Sequence, residues 1–357
     1  MNAHAKFLLS GLAPGSTGTG RFLEALIPYA REAGYEIIHP PEGVRFGPSE
    51  HAQLSPINDA DVIILHPQTL GFGLVLNLAR NNNRVALFVL DNSFFCMQSY
   101  NHRPDQRGEC LDCLTNTSNC SPNCKPFPVK YSRDENIQFL QELSQLASKI
   151  RFFCQTETQK QLVLQHFPSV FEANVIGMRT EEFQPLPEHV EQPAKSFDIV
   201  FHAEAVHAKG ADYALRLAYF LGDHSILFPF PREELNIQMS DTPVPANAYF
   251  ENMRWQTGLM NQVVHSKLVL CPSMWSAPVE GALMKSLFYN GNVAVYNGVY
   301  HFQKEIPDHI IHRLGPHIIE SAKYLKKEID RSPAQRLAAR QWVLDFIQKV
   351  DFSLIFT

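Results

Sequence analysis

The chain has 357 residues, 45% hydrophobic and 19% charged, which at roughly 150 residues per domain predicts about two domains with buried cores and excludes disorder, collagen-like repeats and coiled coils. With 31 Lys and Arg against 36 Asp and Glu the formal charge is -5, so no global basic field exists for nucleic acid or anionic lipid, and an anionic ligand has to meet a local site. No apolar run reaches the ~20 residues of a membrane helix, and the apolar stretch of MNAHAKFLLSGLAPG is soon broken by Gly and Pro, so a cytoplasmic protein without a secretory signal is expected.

KFLLSGL predicts a buried strand. The loop APGSTGTG follows, then RFLEALIPYAREAG, whose Phe22, Leu23, Leu26, Ile27 and Ala30 recur at helical spacing until Gly34 stops the helix. YEIIHP, DVIILH and RVALFVL predict three more strands, with GFGLVLNLARNN a helix between the last two. Strands that alternate with helices pair in parallel and bind ligands beyond their carboxyl ends. That edge carries the loop after the first strand, His66 and Asp91. Beyond a cysteine-rich stretch, ENIQFLQELSQLASK, IRFFCQ, TETQKQLVLQHF and ANVIGM continue as helix, strand, helix, strand. Residues 180–196, with three prolines and no period, read as a linker. Alternation resumes with FDIVFHA, the helix ADYALRLAYFLG, the strand SILFPF, a loop rich in Pro and Asn, and a helix near 250–264. KLVLCP, the helix EGALMKSLFYNG and NVAVYN come next. Ser332, Pro333 and Gln335 form a capping box that opens a final amphipathic helix. The fold class expected is α/β: an N-terminal domain over 1–180 with an insertion at 96–124, a C-terminal domain over 181–332, and a tail helix at 333–357 packing back on the first.

Five groups of residues carry candidate chemistry. Gly15, Gly18, Thr19 and Gly20 precede a helix, whose N-terminal N–H groups and dipole suit a phosphate or an acceptor anion, although a plain strand-to-helix turn has the same composition. Lys209 and Gly210 lie between a strand and a helix, where a compact ammonium meets an anionic ligand or simply faces water. Glu280 at a helix start either accepts hydrogen bonds from ligand hydroxyls, flanked by Trp275 and Ser276, or caps the helix. His66 is placed to exchange a proton or to hold a loop, and His202 and His207, if protonated, would lend positive charge beside Glu204.

Five of the seven cysteines fall within residues 96–124. Cys110 and Cys113, followed by Cys120 and Cys124, have the paired spacing with which four thiolates converge on zinc, with Cys96 as a substitute. Zinc outranks disulfides in a chain without a secretory signal. Such a closed site would be structural, pinning a long loop. Cys154 and Cys271 lie in apolar strands and read as packing residues.

IRFFCQTETQKQLVLQHFP, ANVIGMRTEEFQPLP, FDIVFHAEAVHAKGADYAL and LVLCPSMWSAPVEGALMKSLFYNGNVAVYNG, in this order, resemble the GT-B retaining glycosyltransferases of the family-four type. The resemblance covers nearly the whole chain, and some members carry a similar Cys-rich insertion after the strand that ends in Asp, as DNSFFC does here. It implies two Rossmann-like domains facing a central cleft. It also implies metal-independent transfer of a hexose, with retention, from a UDP- or GDP-sugar to a saccharide or lipid-linked acceptor in polysaccharide or glycoconjugate synthesis. Lys209, Gly210, Ser276 and Glu280 would bind the donor, and His66 and Asp91 would stand near the acceptor with Glu280 completing the catalytic set. No cofactor is implied for catalysis, and nucleic acid is not an expected partner. The basic stretch AKYLKKEIDRSPAQRLAAR suits either weak peripheral membrane contact or a solvated helix face. Two departures stand out. Glu204 occupies the place of the usual Arg, and Pro278 and Ser286 occupy those of the two usual glutamates. They keep open a catalytically degenerate binding protein, with a nucleotide-sugar epimerase on the same fold as a further alternative.

Overall fold

The computed structural model describes residues 4–15, 17–46, 48–103, 105, 108–127, 131–179, 183, 190–239, 243–330 and 332–357, with the side chains of 48–50 and 236–239 left out. The chain divides into two compact units, one formed by Met1–Asn101, Cys110–Thr180 and Lys349–Thr357, the other by His102–Glu109 and Glu181–Gln348. Most of the expected linker over 180–196 lies outside the described residues. No described helix is long and apolar enough to cross a membrane.

The first unit runs β1 (Lys6–Ser10), α1 (Gly18–Glu32), β2 (Glu36–Ile38), α2 (Pro48–Leu54), β3 (Asp61–Leu65), α3 (Pro67–Leu70), α4 (Phe72–Asn81) and β4 (Arg84–Phe88). After the Cys-rich stretch come α5 (Arg133–Leu146), β5 (Ile150–Cys154), α6 (Glu157–His166) and β6 (Glu172–Val175). All neighbouring strands pair in parallel, in the order β2-β1-β3-β4-β5-β6. Helices cover such a sheet, so its strand centres are apolar: Leu8, Leu9, Ile64, Leu65, Leu87, Phe88 and Phe152 are fully buried. Phe22 of α1 packs on Phe88 with ring centroids 4.3 Å apart. Helix α5 starts at a capping box of Ser132 and Glu135 and lays Phe139 flat on Phe72 of α4, at 4.0 Å.

The second unit runs β7 (Ile199–Phe201), α7 (Ala211–Phe220), β8 (Ile226–Phe228), α8 (Arg232–Met239), β9 (Ala248–Phe250), α9 (Leu259–His265) and β10 (Leu268–Cys271). It continues with α10 (Gly281–Tyr289), β11 (Val293–Tyr296), β12 (Ile311–Leu314), α11 (Ile318–Glu328) and α12 (Pro333–Gln348). Its sheet is also parallel, ordered β12-β11-β10-β7-β8-β9. One core packs α7 and α11 on one face, and a second packs α9, α10 and α12 on the other. The predicted capping box of α12 forms, with Gln335 N donating to Ser332 Oγ and Ser332 N to Gln335 Oε1. This helix packs on α10 in the second unit, where Arg340 donates to the Phe288 carbonyl at 3.0 Å. Residues 349–357 count with the first unit, where the Phe352 ring meets Phe22 edge-on.

The α/β reading with two parallel Rossmann-like sheets therefore stands. The helix expected near 250–264 is present only in its second half, as α9. An irregular stretch and a 3-10 turn follow β9 over 251–257, and α9 begins only after Gly258, whose φ of 115° breaks the run. Strand β12 and helix α8 were not expected; β12, IHRL, sets His312 and Arg313 into its short apolar run.

In both sheets the strand order reverses beside the first strand of the unit, between β1 and β3 and between β7 and β10. Such switch points open a crevice at the carboxyl edge, the usual ligand position in parallel α/β sheets.

Candidate functional site

At the β1/β3 switch point, the loop after β1 leads into α1, whose first turn is Gly18, Thr19 and Gly20. The Gly20 N–H is committed to the Thr17 hydroxyl at 2.9 Å, an N-cap. A Cβ on Gly20 would stand 2.7 Å from the Ala13 carbonyl, so this glycine serves a tight turn, while Gly15 holds φ at 142°. Gly11, which sequence reasoning passed over, lets the loop abut α3: a Cβ there would lie 2.2 Å from Leu70 N.

His66 caps α3 in the left-handed region, with φ 56° and ψ 74°, a costly conformation for a residue with a Cβ. The Thr69 hydroxyl donates to the His66 carbonyl at 3.1 Å and lies 2.8 Å from Nδ1. On the other side, Nε2 stands 3.4 Å from Asp91 Oδ2. The other Asp91 oxygen accepts from Ser93 N and Oγ at 2.9 and 2.5 Å. Burial would raise the Asp91 pKa, but the bonds from His66 and Ser93 outweigh it and hold the carboxyl below its ordinary value. The structure thus brings the glycine loop, His66 and Asp91 to one edge, with an ionised carboxylate orienting an imidazole.

At the β7/β10 switch point, Lys209 ends a 3-10 turn and Gly210 opens α7. Gly210 is required twice over: its φ is 80°, and a Cβ would sit 2.2 Å from the Pro272 carbonyl at the end of β10. The Lys209 ammonium beside it pairs with the Glu280 carboxylate, with the Trp275 ring 5.1 Å away. Their side chains are 15% and 10% exposed, so the pair is largely withdrawn from water. Glu280 occupies the N-cap of α10 but makes no capping bond; the plain-cap reading gives way to the ion pair.

Ser276 is not part of this pair. Its hydroxyl donates to Glu109, a carboxylate that also accepts from the backbone N–H groups of Val299 and Tyr300, the latter at 3.1 Å. His301 Nε2 lies 3.7 Å from the same carboxylate. Burial pushes its imidazole pKa down to about 3, so the ring is neutral. Nothing in the sequence around Glu109 marked it, because its partners lie more than 160 residues away. Ser286, in place of a usual glutamate, is fully buried, bonded to His202 Nδ1 at 2.8 Å and donating to the Ala282 carbonyl. Burial, with Lys285 nearby, pushes the His202 pKa down to about 3. His202 is therefore neutral and cannot replace the absent Arg charge, contrary to expectation.

The cysteines are all free thiols. Cys120 and Cys124 cluster with Met97, and Cys113 packs against them. The bond to Cys120, then burial, pushes the thiols of Cys113 and Cys124 well up, and burial pushes Cys96 up to about 12. Among the described residues no group of three or more His, Cys, Asp or Glu is arranged to hold a metal ion. The expected zinc site at Cys110, Cys113, Cys120 and Cys124 is thus not supported among the described residues. Cys154 and Cys271 are buried.

No protein-family model matches this chain, and no curated protein matches it. Solved structures do. OtsA in its apo form aligns with a TM-score of 0.59 at 14% identity, covering 99% of this chain and 97% of that one. Sucrose-phosphate synthase from Thermosynechococcus elongatus gives 0.60 at 11%, covering 97% and 94%. Anabaena HepE in complex with UDP-glucose gives 0.57 at 11%, covering 99% and 97%. At such identities the likeness establishes the fold, two Rossmann-like domains in the GT-B manner.

Proposed function

We propose that the protein is a glycosyltransferase that moves a sugar, with retention and without a catalytic metal, from a nucleoside-diphosphate sugar to an acceptor hydroxyl. The observation that carries this reading is the Lys209–Glu280 pair at the β7/β10 switch point. A donor diphosphate would draw the Lys209 ammonium toward itself, and the ammonium would offset the charge that grows on the leaving group. Glu280, so released, would accept hydrogen bonds from hydroxyls of the donor. On the first unit, the imidazole of His66, oriented by Asp91, would receive or position the proton of the acceptor hydroxyl. UDP- or GDP-sugars are the donors we favour, with a saccharide or lipid-linked acceptor, acting in the cytoplasm. Trehalose-phosphate and sucrose-phosphate synthases among the structures of like fold, and HepE with UDP-glucose, support the choice.

A second reading, a binding protein on the same fold without catalysis, is favoured by the packed Ser286 and by exposed Glu204. Calorimetric titration with UDP-, GDP-, ADP- and dTDP-sugars, followed by turnover with the donor that binds, separates the two. We expect one donor to bind and Lys209→Ala to lower turnover roughly 100-fold with the fold intact. Binding without any turnover would favour the second reading, and unchanged turnover in Lys209→Ala would remove the Lys209 assignment.

A further inference from the structure

We propose that the loops after β10 and β11 form a binding site for a terminal phosphoryl group, built from Ser276, the backbone N–H groups of Val299 and Tyr300 and the ring of His301, which Glu109 fills as an internal stand-in. β10 ends at Cys271 and β11 at Tyr296, so the site lies on the same carboxyl edge as the Lys209–Glu280 pair. It extends the transferase reading and rests on that reading for the source of the ligand, while the geometry stands by itself.

The Ser276 hydroxyl donates to one Glu109 oxygen and the Val299 N–H to the other, while the Tyr300 N–H is shared between them at 3.1 and 3.2 Å. The Glu109 side chain is only 4% exposed. These partners are dipoles rather than cations, the arrangement of an anion nest. His301 supplies a second observation. Its side chain is fully buried, and its Nε2 lies 3.7 Å from the Glu109 carboxylate. Among the described residues neither ring nitrogen has a hydrogen-bond partner, and burial keeps the ring neutral. Gly298 makes room for it, since a Cβ there would stand 2.0 Å from the imidazole. Buried polar groups are almost always bonded, so an orphaned imidazole beside an anion nest marks a ligand atom that the carboxylate does not supply.

A carboxylate has two oxygens, and Ser276, Val299 and Tyr300 take both. A terminal phosphoryl group offers three acceptor oxygens, one for Ser276, one for the N–H groups and one for His301 in its Nε2–H tautomer. Its greater negative charge also strengthens each bond from these donors. A nucleotide sugar carries only bridged phosphates, so the ligand is a leaving nucleoside diphosphate or a sugar monophosphate, which share the terminal group. Because the entering group brings its own acceptors, Glu109 can swing out without leaving buried donors unpaired. The antiparallel bridge between His102 and Glu109 holds the backbone, so this withdrawal is a rotation of the Glu109 side chain. Glu109 therefore competes with the ligand for the nest.

Calorimetry on the full chain, as wild type, Glu109→Gln and Glu109→Ala, with UDP, glucose 6-phosphate and inorganic phosphate as probes, tests the site. Removing the internal competitor should tighten binding of at least one probe about tenfold in both variants, and the tightest probe identifies the source. Gln is isosteric with Glu, so that variant keeps the test open where Ala disturbs the fold. Ser276→Ala in the Glu109→Gln chain should take back about fivefold of the gain. The same ratio between variant and parent should persist in Lys209→Ala, which separates the nest from the Lys209 ammonium. Saturating the Glu109→Gln chain should also shift the His301 ring nitrogens in long-range proton–nitrogen NMR spectra. Equal or weaker binding in both Glu109 variants, a gain that vanishes with Lys209, or unmoved His301 signals would each overturn the assignment. If no nucleotide or nucleotide sugar binds any form while phosphate or glucose 6-phosphate binds the Glu109 variants, the transferase reading falls and the nest stands. If nucleotide sugars bind and turn over while the Glu109 variants gain nothing, the nest falls and the transferase reading stands.

Discussion

Lowering the pH from 7.5 to 5 should destabilise the second unit more than the first. His202 and His301 in the second unit are pushed down to about 3, chiefly by burial, and His166 in the first to about 4. In the unfolded chain each titrates near 6.5. A folded pKa below the unfolded one means that the fold favours the neutral ring. Its contribution is complete above pH 6.5 and is lost as pH falls from 6.5 toward the folded values. At pH 5 the unfolded chain gains about 1.5 pH units of protonation free energy per histidine that the fold forgoes, about 2 kcal/mol each. That sums to about 4 kcal/mol for the second unit and about 2 kcal/mol for the first, against a typical total of ~5–15 kcal/mol. Asp91 does not offset this loss: its lowered pKa contributes stability above its unfolded value near 3.8, which is lost only at more acid pH. All three tryptophans, Trp255, Trp275 and Trp342, lie in the second unit, so urea unfolding followed by their fluorescence reports that unit, and far-UV circular dichroism reports both. The fluorescence midpoint should fall steeply between pH 6.5 and 5, and His202→Phe should remove about half of the fall. A midpoint unchanged between pH 7.5 and 5 would refute the reasoning.

Two further outcomes follow from local geometry. Gly210→Ala places a Cβ 2.2 Å from the Pro272 carbonyl at a φ of 80°, which should cost about 2–4 kcal/mol. It should also weaken nucleotide-sugar binding by moving Lys209, whereas an unchanged melting temperature would contradict the fit. Cys113 and Cys124, bonded to Cys120 and partly buried, should react slowly with a thiol reagent at pH 8 in the native protein. All seven cysteines should react promptly in denaturant, and rapid native labelling of Cys113 or Cys124 would overturn that environment.

Long elements with strong periods were legible in the sequence. Helix α1 announced itself by Phe22, Leu23 and Leu26, and α12 by its Ser332–Gln335 box. The three-residue β9, set in a loop rich in Pro and Asn, carries too little pattern, and β12, IHRL, interrupts its apolar face with His312 and Arg313. The strand order, which fixes both switch points, is a nonlocal property and came only from the structure. Of the candidate sites, Lys209 with Glu280 and His66 with Asp91 were named from their places after strands, and the structure pairs them. Glu109 and Gly11 were missed because their roles depend on what lies opposite: three donors in one case, the α3 backbone in the other. Cysteine spacing suggested a metal, and the structure gathers Cys113, Cys120 and Cys124 around Met97 without a described group arranged to hold one.

The lock between Glu109 and the loop after β11 has a consequence for modularity. A fragment cut at the end of the first sheet and starting at residue 181 would lack the carboxylate that accepts from Ser276, Val299 and Tyr300. A buried donor such as Ser276, left without an acceptor, costs roughly 1–3 kcal/mol. The carboxy-terminal half is therefore not an autonomous cassette. Swapping it into a chain of like fold would transplant a socket without its plug, unless residues 102–109 travel with it.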